Sequence, residues 1–379
     1  MNRAIISVVA ALVSAAAFSQ NAVVDIRGSG MTKKTVSINV PNADFAKSLR
    51  KNLELSGLFV VQANGGITVS GTPGASVRVA GDGKSLTSTE AVSDAKSARM
   101  AARRLADAMC QAYGAQKGFA CDRIAFVNRK GSDNAELCTC YPDGYDIRQL
   151  TSDAKATVGP RWKTADTLYY TGFLNAGPQV YELDVNTGRR NRPWSFKGLA
   201  TGAAVSPDGT KVAIILSFQG NPELYILQGG RYMRLTNTPN ATEGQPSWSP
   251  DGKKIVYVSD ETRRPQLYII DVATREKRRL TSKGSQNVDP DWGDDGRITY
   301  ITKRGGAQIA VLNPAEGEGS AQLVTKPGNW EHPSWSRDRR HVVASCDKAL
   351  FVVDTMKDGD KPRQVFQANG NWITPSWSR

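Results

Sequence analysis

A short motif recurs at nearly constant spacing through the C-terminal part of the chain and constrains the fold more than any other feature. Its clearest copy is Pro-Ser-Trp-Ser-Pro-Asp-Gly, which begins at Pro246, and shorter copies begin at Pro333 and Pro375. With three weaker copies included, the anchor position of the motif falls at residues 162, 205, 248, 292, 335 and 377. A period of 42 to 44 residues with several short strands per unit is typical of a β-propeller.

Each repeat has the sequence pattern of one four-stranded blade. The anchor belongs to the innermost strand, where a large apolar side chain can fill the space between neighbouring blades. Asp-Gly then favours a tight turn, because glycine accepts the positive φ that such turns need. Alternating segments such as 254–259 and 266–271 predict the second and third strands, and the fourth ends in an Arg-x-Leu-Thr pattern.

The two ends of the array predict how the ring closes. The first outer strand, at 148–151, precedes the first anchor, whereas no strand follows the last anchor, Trp377. We therefore expect one shared blade, with 124–151 supplying its three outer strands and 373–378 its innermost strand. Closure of this kind removes the unpaired edges of an open array. The expected fold is mainly β, with a six-bladed β-propeller over residues 124–379.

Residues 20–123 lack the repeat and predict a small α+β domain. Apolar residues at helical spacing indicate a helix over 44–53, and a longer helix is predicted over 90–113 and stopped by Gly114. Segments 58–61, 67–69 and 77–79 are predicted strands between glycines.

The first 19 residues have the pattern of an export signal. A short basic segment ending at Arg3 precedes an apolar run, and Ala17 and Ser19 are the small residues of a cleavage site before Gln20. A retained membrane anchor is the weaker alternative, because the apolar run is shorter than the roughly 20 residues that span a bilayer. We expect a mature protein in an oxidising compartment.

Charge and cysteine content exclude some functions. The net charge is +13, but the excess of basic over acidic residues is six in each part: 14 against 8 over 20–123 and 34 against 28 over 124–379. A nucleic-acid binder would usually concentrate this charge, so no nucleic-acid partner is expected. Five cysteines leave at least one thiol unpaired, and Cys110 with Cys121 is the favoured disulfide. Cys138 and Cys140 share a strand face and should not bridge each other.

Catalytic and cofactor motifs are missing from the sequence. The two histidines, His332 and His341, have no metal-ligand spacing, and no Gly-x-Ser-x-Gly motif occurs. The segment 81–85 resembles part of a phosphate-binding loop but is better explained as a turn between strands. We expect no enzyme activity, no cofactor and no dedicated metal site.

Four aspartates near the fourth anchor leave one alternative open. They do not fit a calcium-binding loop, although an ion in the propeller channel stays an alternative. These residues are Asp289, Asp291, Asp294 and Asp295.

The sequence resembles the TolB family of the Tol–Pal system. The likeness is strongest over 245–281 and in Thr-Pro-Ser-Trp-Ser at 374–378, and Arg-Ile-Ala-Phe-Val at 123–127 resembles the strand by which that family enters its propeller. The resemblance implies a periplasmic protein, peripheral to the outer membrane and expected to be monomeric. It would maintain envelope integrity and aid division by binding a Pal-like lipoprotein and a TolA-like protein. The alternative is an envelope or secreted propeller that binds a glycan or another protein outside that system.

The predicted partner site lies on the segments just before each anchor, the face that the resemblance assigns to the Pal-like lipoprotein. Trp330 and Trp372 each precede an anchor by five residues, and tryptophan is enriched among interface hot spots. The alternative is that both rings fold down to cap the channel. The predicted site residues are Lys197, Leu199, Thr201, Thr242, Glu243, Gln245, Asn287, Asp289, Trp330, Glu331, His332, Trp372 and Thr374.

A second predicted partner segment is an arm at the mature N-terminus. In the TolB family the corresponding segment docks on the propeller or is released to TolA, and such an arm could add a strand to a partner's sheet. An ordinary first strand of the small domain is the alternative. The arm residues are Ala22, Val23, Val24, Asp25, Ile26 and Arg27.

Overall fold

The chain is described by a computed structural model that covers residues 32–131, 133–175, 177–217, 220–356, 361–366 and 370–378. The predicted export signal (1–19) and arm (22–27) lie outside these residues. Among the helices so described, none combines the length and the apolar character needed to cross a membrane.

The N-terminal part is an α+β unit in which two helices pack on one five-stranded sheet of order β2-β1-β3-β4-β5. Its elements are β1 Lys34–Asn39, α1 Ala43–Leu55, β2 Phe59–Val61, β3 Ile67–Thr72, β4 Ser76–Gly81, β5 Lys84–Ser88 and α2 Ala95–Gly114. The turn between β4 and β5 contains Asp82 and Gly83, both with positive φ. The segment that resembles a phosphate-binding loop is therefore a hairpin turn.

Capping residues explain where the two helices begin. The Asn42 side chain accepts a hydrogen bond from the backbone N–H of Phe45, which fixes the start of α1. Helix α2 starts at Ala95, five residues later than predicted, because Asp94 and Ser97 form a reciprocal capping box.

The rest of the chain forms six four-stranded sheets, which confirms the predicted six-bladed propeller. Blade one contains β9 Thr157–Trp162, β10 Thr167–Asn175, β11 Gly177–Asp184 and β12 Arg190–Asn191. Blade two contains β13 Leu199–Val205, β14 Val212–Ser217, β15 Glu223–Gln228 and β16 Arg231–Arg234. Blade three contains β17 Glu243–Trp248, β18 Lys254–Ser259, β19 Gln266–Asp271 and β20 Lys277–Arg279.

The last three blades complete the ring, and blade six differs from the others because its strands come from both ends of the repeat array. Blade four contains β21 Gln286–Trp292, β22 Ile298–Lys303, β23 Ala307–Leu312 and β24 Gln322–Leu323. Blade five contains β25 Trp330–Trp335, β26 His341–Cys346, β27 Ala349–Asp354 and β28 Arg363–Gln364. Blade six contains β29 Trp372–Trp377, β6 Ile124–Arg129, β7 Ala135–Cys140 and β8 Arg148–Gln149. The pairing of Trp377 with Ile124 joins the last strand to the first strand of the ring.

The anchor tryptophans join neighbouring blades. Trp248, Trp292, Trp335 and Trp377 are at most 5% exposed. The Trp248 indole N–H also donates to the Ala204 carbonyl of the preceding blade at 2.9 Å, and Trp335 donates to Asp291 O at 3.1 Å. Apolar packing between blades thus explains why tryptophan recurs at this position, and in these two copies the indole donor is also satisfied.

The threonine of the Arg-x-Leu-Thr pattern connects the end of the fourth strand to the third strand through hydrogen bonds. The Thr281 hydroxyl accepts the backbone N–H of Leu267 at 3.0 Å and donates to Gln266 Oε1 at 2.9 Å. Thr236 makes the corresponding bonds in blade two, to Leu224 and Glu223. These bonds stabilise outer strands that are only two to four residues long.

The propeller has two faces, one at each end of its innermost strands. We define the loop face as the edge where the innermost strands β9, β13, β17, β21, β25 and β29 begin. The turn face is the opposite edge, where these strands end and the Asp-Gly turns follow. The N-terminal domain contacts the turn face of blades five and six.

A buried ion pair lies at the centre of this contact. Arg103 of α2 pairs with Asp143, between β7 and β8, through Nε and Oδ2 at 2.9 Å, and both side chains are 0% exposed. Asp143 also accepts hydrogen bonds from Ser48 Oγ at 2.7 Å and Asn52 Nδ2 at 3.2 Å. Phe119 packs against the Trp377 ring with centroids 5.1 Å apart. The carboxylate is therefore hydrogen-bonded from two helices, which makes the domain contact specific.

The predicted disulfide between Cys110 and Cys121 is wrong: all five cysteines are free thiols. Cys110 is buried in the core of the N-terminal domain beside Ser56, whereas the thiol of Cys121 contacts Asp107. Burial raises the pKa of the Cys110 thiol to about 12, so the thiol stays protonated and unreactive at neutral pH.

Candidate functional site

Every innermost strand carries a bulge at the same place, three residues before its anchor. The pairing with the second strand shifts there in all six blades. The residue at each bulge has φ between +48° and +64°: Gly159, Gly202, Gln245, Asp289, His332 and Thr374. A bulge inserts an extra residue and turns its side chain away from the strand pairing. The six bulges surround the channel at the loop face.

Three of these bulge residues form a hydrogen-bonded chain across blades three, four and five. The Gln245 amide donates to Asp289 Oδ1, and Gln245 Oε1 accepts the Asp289 backbone N–H at 2.9 Å. The His332 backbone N–H donates to Asp289 Oδ2 at 3.0 Å, and its Nδ1 lies 3.0 Å from Oδ1. Both oxygens of the Asp289 carboxylate are thereby bound, and the loop-face end of the channel has a fixed polar surface.

The charged forms of Asp289 and His332 stabilise each other. Burial lowers the pKa of His332, but the facing Asp289 carboxylate outweighs it, and the net result is a pKa above the ordinary value. Burial acts in the opposite direction on Asp289, and the contact with His332 leaves the pKa of that carboxyl below its usual value. The pair therefore favours an imidazolium beside a carboxylate.

The thirteen predicted partner residues fall into three groups. Four are exposed: Lys197, Leu199, Thr242 and Glu331. Three are half-buried: Thr201, Gln245 and His332. Six are buried: Glu243, Asn287, Asp289, Trp330, Trp372 and Thr374. The structure places all thirteen at or near the start of the innermost strands of blades two to six.

The expectation that Trp330 and Trp372 are accessible loop residues is wrong. Each is the first residue of an innermost strand and is 8% or 9% exposed. Trp330 packs against Phe351 with centroids 5.5 Å apart, and Trp372 packs against Phe366 at 4.4 Å. Trp330 also belongs to a core cluster with residues of blade four, and Trp372 to one with residues of blade five, so both rings lie between blades and neither forms a cap over the channel.

The bulge explains this burial. Residues five apart on a regular strand point to opposite faces, but one extra residue between them returns both to the same face. The position five before the anchor is accordingly buried in all six blades: Thr157, Ala200, Glu243, Asn287, Trp330 and Trp372. Glu243 accepts from Thr238 Oγ1 at 2.8 Å, and Asn287 donates to Gln266 Oε1 at 2.7 Å, so both join neighbouring blades.

Both histidines contact aspartate side chains. His341 is 1% exposed and its Nδ1 lies 2.6 Å from Asp338 Oδ2, beneath the ring of Phe119. Within the described parts of the chain, no group of three or more histidine, cysteine or acidic side chains could hold a metal ion. The four aspartates near the fourth anchor do not converge into such a group.

A family model and the curated relatives indicate one family. A family model described as the TolB beta propeller domain matches residues 111–379. The Tol-Pal system protein TolB of Desulfosudis oleivorans is 30% identical over 132 residues, 35% of this chain and 30% of that protein. Its counterpart in Anaeromyxobacter dehalogenans is 28% identical over 158 residues, 41% of this chain and 36% of that protein. The chain thus matches about a third of the length of these curated relatives.

The fold also matches solved structures. A crystal structure of TolB from Acinetobacter baumannii has a TM-score of 0.80 at 23% identity, covering 92% of this chain and 97% of that one. A putative TolB from Agrobacterium tumefaciens has a TM-score of 0.51 at 20% identity, covering 67% and 92%. At these identities the likeness establishes the fold.

Proposed function

Because the chain belongs to the TolB β-propeller family, we propose that it is a protein-binding component of a Tol–Pal type envelope system. In this proposal the mature chain works in the periplasm, has no catalytic role, and holds a Pal-like lipoprotein on its loop face. The curated relatives are named as Tol-Pal system proteins, which supports a place in such a system. The repeat architecture supports a protein-binding role.

The observation that carries the proposal is the difference in accessibility between the two ends of the channel. Contacts with the N-terminal domain occupy the turn face of blades five and six, whereas the loop face presents the bulge residues and the exposed segments around them. Leu199 is 44% exposed there, and Glu331 and Lys197 provide charges of both signs. A fixed polar centre with a mixed charged rim is suited to a folded protein partner.

One unsatisfied group at this face supports the same proposal. Thr374 is 7% exposed, and within the described residues its hydroxyl has no hydrogen-bond partner. A buried hydroxyl without a partner costs free energy, and a polar group of a bound protein could supply the missing bond.

The TolA-like partner is assigned to a different part of the chain. We propose that residues 22–27 bind it as an added strand, since alternating Val and Ile residues followed by glycines suit an extended arm. Removal of residues 20–27 should abolish binding of a TolA-like domain and preserve binding of the Pal-like domain. Loss of both interactions would contradict a separate arm.

Calorimetry with the soluble domain of a Pal-like lipoprotein from the same organism tests the main proposal. Glu331→Lys changes an exposed loop-face charge, and Glu276→Lys makes the same change at an exposed turn-face position. We expect at least a tenfold loss of affinity for Glu331→Lys, about 1.4 kcal/mol, and no loss for Glu276→Lys. Equal losses would place the interface elsewhere. Absence of binding by the unaltered chain would favour a propeller that works outside the Tol–Pal system.

A further inference from the structure

The channel contains a cavity at its turn-face end that the proposed partner site does not use. It has a volume of about 310 Å³, and all six blades contribute to its wall. No residue of the N-terminal sheet or helices lines it. This space is large enough for several waters or one small organic molecule.

One side chain distinguishes the wall of this cavity. The residue just before the anchor points toward the channel in each blade, and blade one places Arg161 there. The five equivalent residues are shorter: Ala204, Ser247, Asp291, Ser334 and Ser376. Blades one and four lie opposite each other in a six-membered ring, so Arg161 faces Asp291 across the channel.

Arg161 has an unused set of hydrogen-bond donors. Its Nη1 lies 3.9 Å from Asp291 Oδ1, beyond hydrogen-bond length, while its side chain is only 25% exposed. Among the described residues the Arg161 guanidinium donates no hydrogen bond. A guanidinium presents five N–H groups in a planar fork that fits a carboxylate. A partly desolvated fork of this kind favours an anionic group in the cavity.

Asp291 does not depend on Arg161 for its own hydrogen bonds. Its Oδ2 accepts the Trp335 backbone N–H at 2.7 Å, and its Oδ1 accepts from Ser247 Oγ at 3.4 Å. Arg161 can therefore bind another anion while these hydrogen bonds of Asp291 stay in place. A ligand beside this pair would meet a cationic group and an anionic group whose nearest atoms are 3.9 Å apart.

The rest of the wall limits the ligand further. Lys163 at the rim is already paired with Glu182 at 2.9 Å, and Asp294 adds a second carboxylate. The site thus has no surplus of positive charge for a phosphate. Apolar surface comes from residues of the anchor motif: Trp162, Val205, Pro207, Trp248 and Pro250.

We propose that this cavity binds a small α-amino acid with an apolar side chain. Its carboxylate accepts hydrogen bonds from Arg161, its ammonium group faces Asp291, and its side chain packs on the anchor tryptophans and prolines. This ligand is independent of the protein partner proposed for the loop face.

Matched compounds test each part of this recognition with the purified mature chain. L-leucine carries both charges, N-acetyl-L-leucine only the carboxylate, and L-leucinamide only the ammonium group. We expect a saturable change of tryptophan fluorescence and a calorimetric signal with L-leucine, and at least tenfold weaker binding of the two blocked compounds. A chain that gives no saturable signal with L-leucine, or that binds inorganic phosphate more tightly, overturns the proposal.

Substitution of Arg161 tests the location. Arg161→Ala should weaken leucine binding at least tenfold, while Arg189→Ala, an exposed arginine on the same face of the same blade, should leave it unchanged. Arg161→Gln keeps much of the side-chain length and should weaken binding equally, which preserves the test if the alanine variant does not fold. Unchanged binding in a folded Arg161 variant would contradict the proposal.

Discussion

The two faces of the propeller are built from the same repeat but have opposite properties. On the turn face, the N-terminal domain packs against blades five and six, and the contact is fixed by charges such as Arg103 and Asp143 that are withdrawn from solvent. On the loop face, six bulges turn backbone and side chains toward the channel, and exposed residues such as Glu331 surround them. One end of the blades is therefore adapted to a permanent contact within the chain, and the other leaves its polar groups available to a partner.

Both faces depend on closure of the ring, and the largest expected effect comes from opening it. Deletion of residues 373–379 removes the innermost strand of blade six, including Trp377, and exposes the edge of β6. We expect the shortened chain to aggregate or to lose its cooperative thermal transition, as measured by circular dichroism and sedimentation. Removal of Arg379 alone is the control. A full transition at the original temperature would show that blade six is stable without β29.

Substitution of the two loop-face tryptophans separates burial from partner binding. Because Trp330 and Trp372 lie between blades, each change to alanine should lower the free energy of unfolding by about 3–5 kcal/mol. Tyr232→Ala, at a ring that is 56% exposed, should cost much less. Denaturant titration measures both. A tryptophan variant with unchanged stability but weakened partner affinity would move these rings from the blade core to the interface.

Two adjacent arginines test the turn-face contact. Arg103→Ala leaves the buried Asp143 without its ion partner, which should cost about 3–5 kcal/mol. Arg104 is 59% exposed and, among the described residues, forms its ion pair with Glu90, so Arg104→Ala should cost less than about 1 kcal/mol. Equal effects of the two substitutions in denaturant titrations would mean that the domain contact adds little to stability.

A smaller effect is expected from Asp122, which also lies at the turn face. Burial raises the pKa of this carboxyl from 3.8 to about 8, although Arg337 lies 3.0 Å away. The folded chain binds this proton more tightly than the unfolded chain, so the contribution of Asp122 to stability falls as pH rises from about 4 to about 8. Asp122→Asn should stabilise the chain at pH 9 by at least about 1.4 kcal/mol, the equivalent of one pKa unit, and give no such gain at pH 4. Thermal unfolding at the two pH values measures this difference, and equal effects at both would contradict the raised pKa.

The sequence was sufficient to predict the propeller and the number of its blades. The anchors repeat at a fixed interval, and strands such as 254–259 and 266–271 begin and end where their alternation predicted. Helix α2 begins five residues later than its apolar spacing predicts, because the capping box of Asp94 and Ser97 sets its start. The proposed disulfide failed because closeness along the chain does not establish closeness of two thiols.

The candidate site was less predictable, and one backbone feature explains most of the difference. A bulge at a glycine, as at Gly159 and Gly202, can be suspected from sequence, but Gln245, Asp289, His332 and Thr374 give no such signal. Without the bulge, regular strand alternation would place the anchor and the residue five before it on opposite faces of the strand. The sequence also gives no sign that Arg161 faces Asp291 across the channel, because these two residues are 130 positions apart.

Hydrogen–deuterium exchange with and without a saturating Pal-like domain tests the central claim, which is that the partner site lies on the loop face. When the partner is bound, segments 197–203, 240–245, 285–289 and 329–332 should exchange more slowly. The Asp-Gly turns of blades two to four, which share those blades but lie on the turn face, should exchange at an unchanged rate. Protection confined to those turns, or to the N-terminal domain, would contradict it.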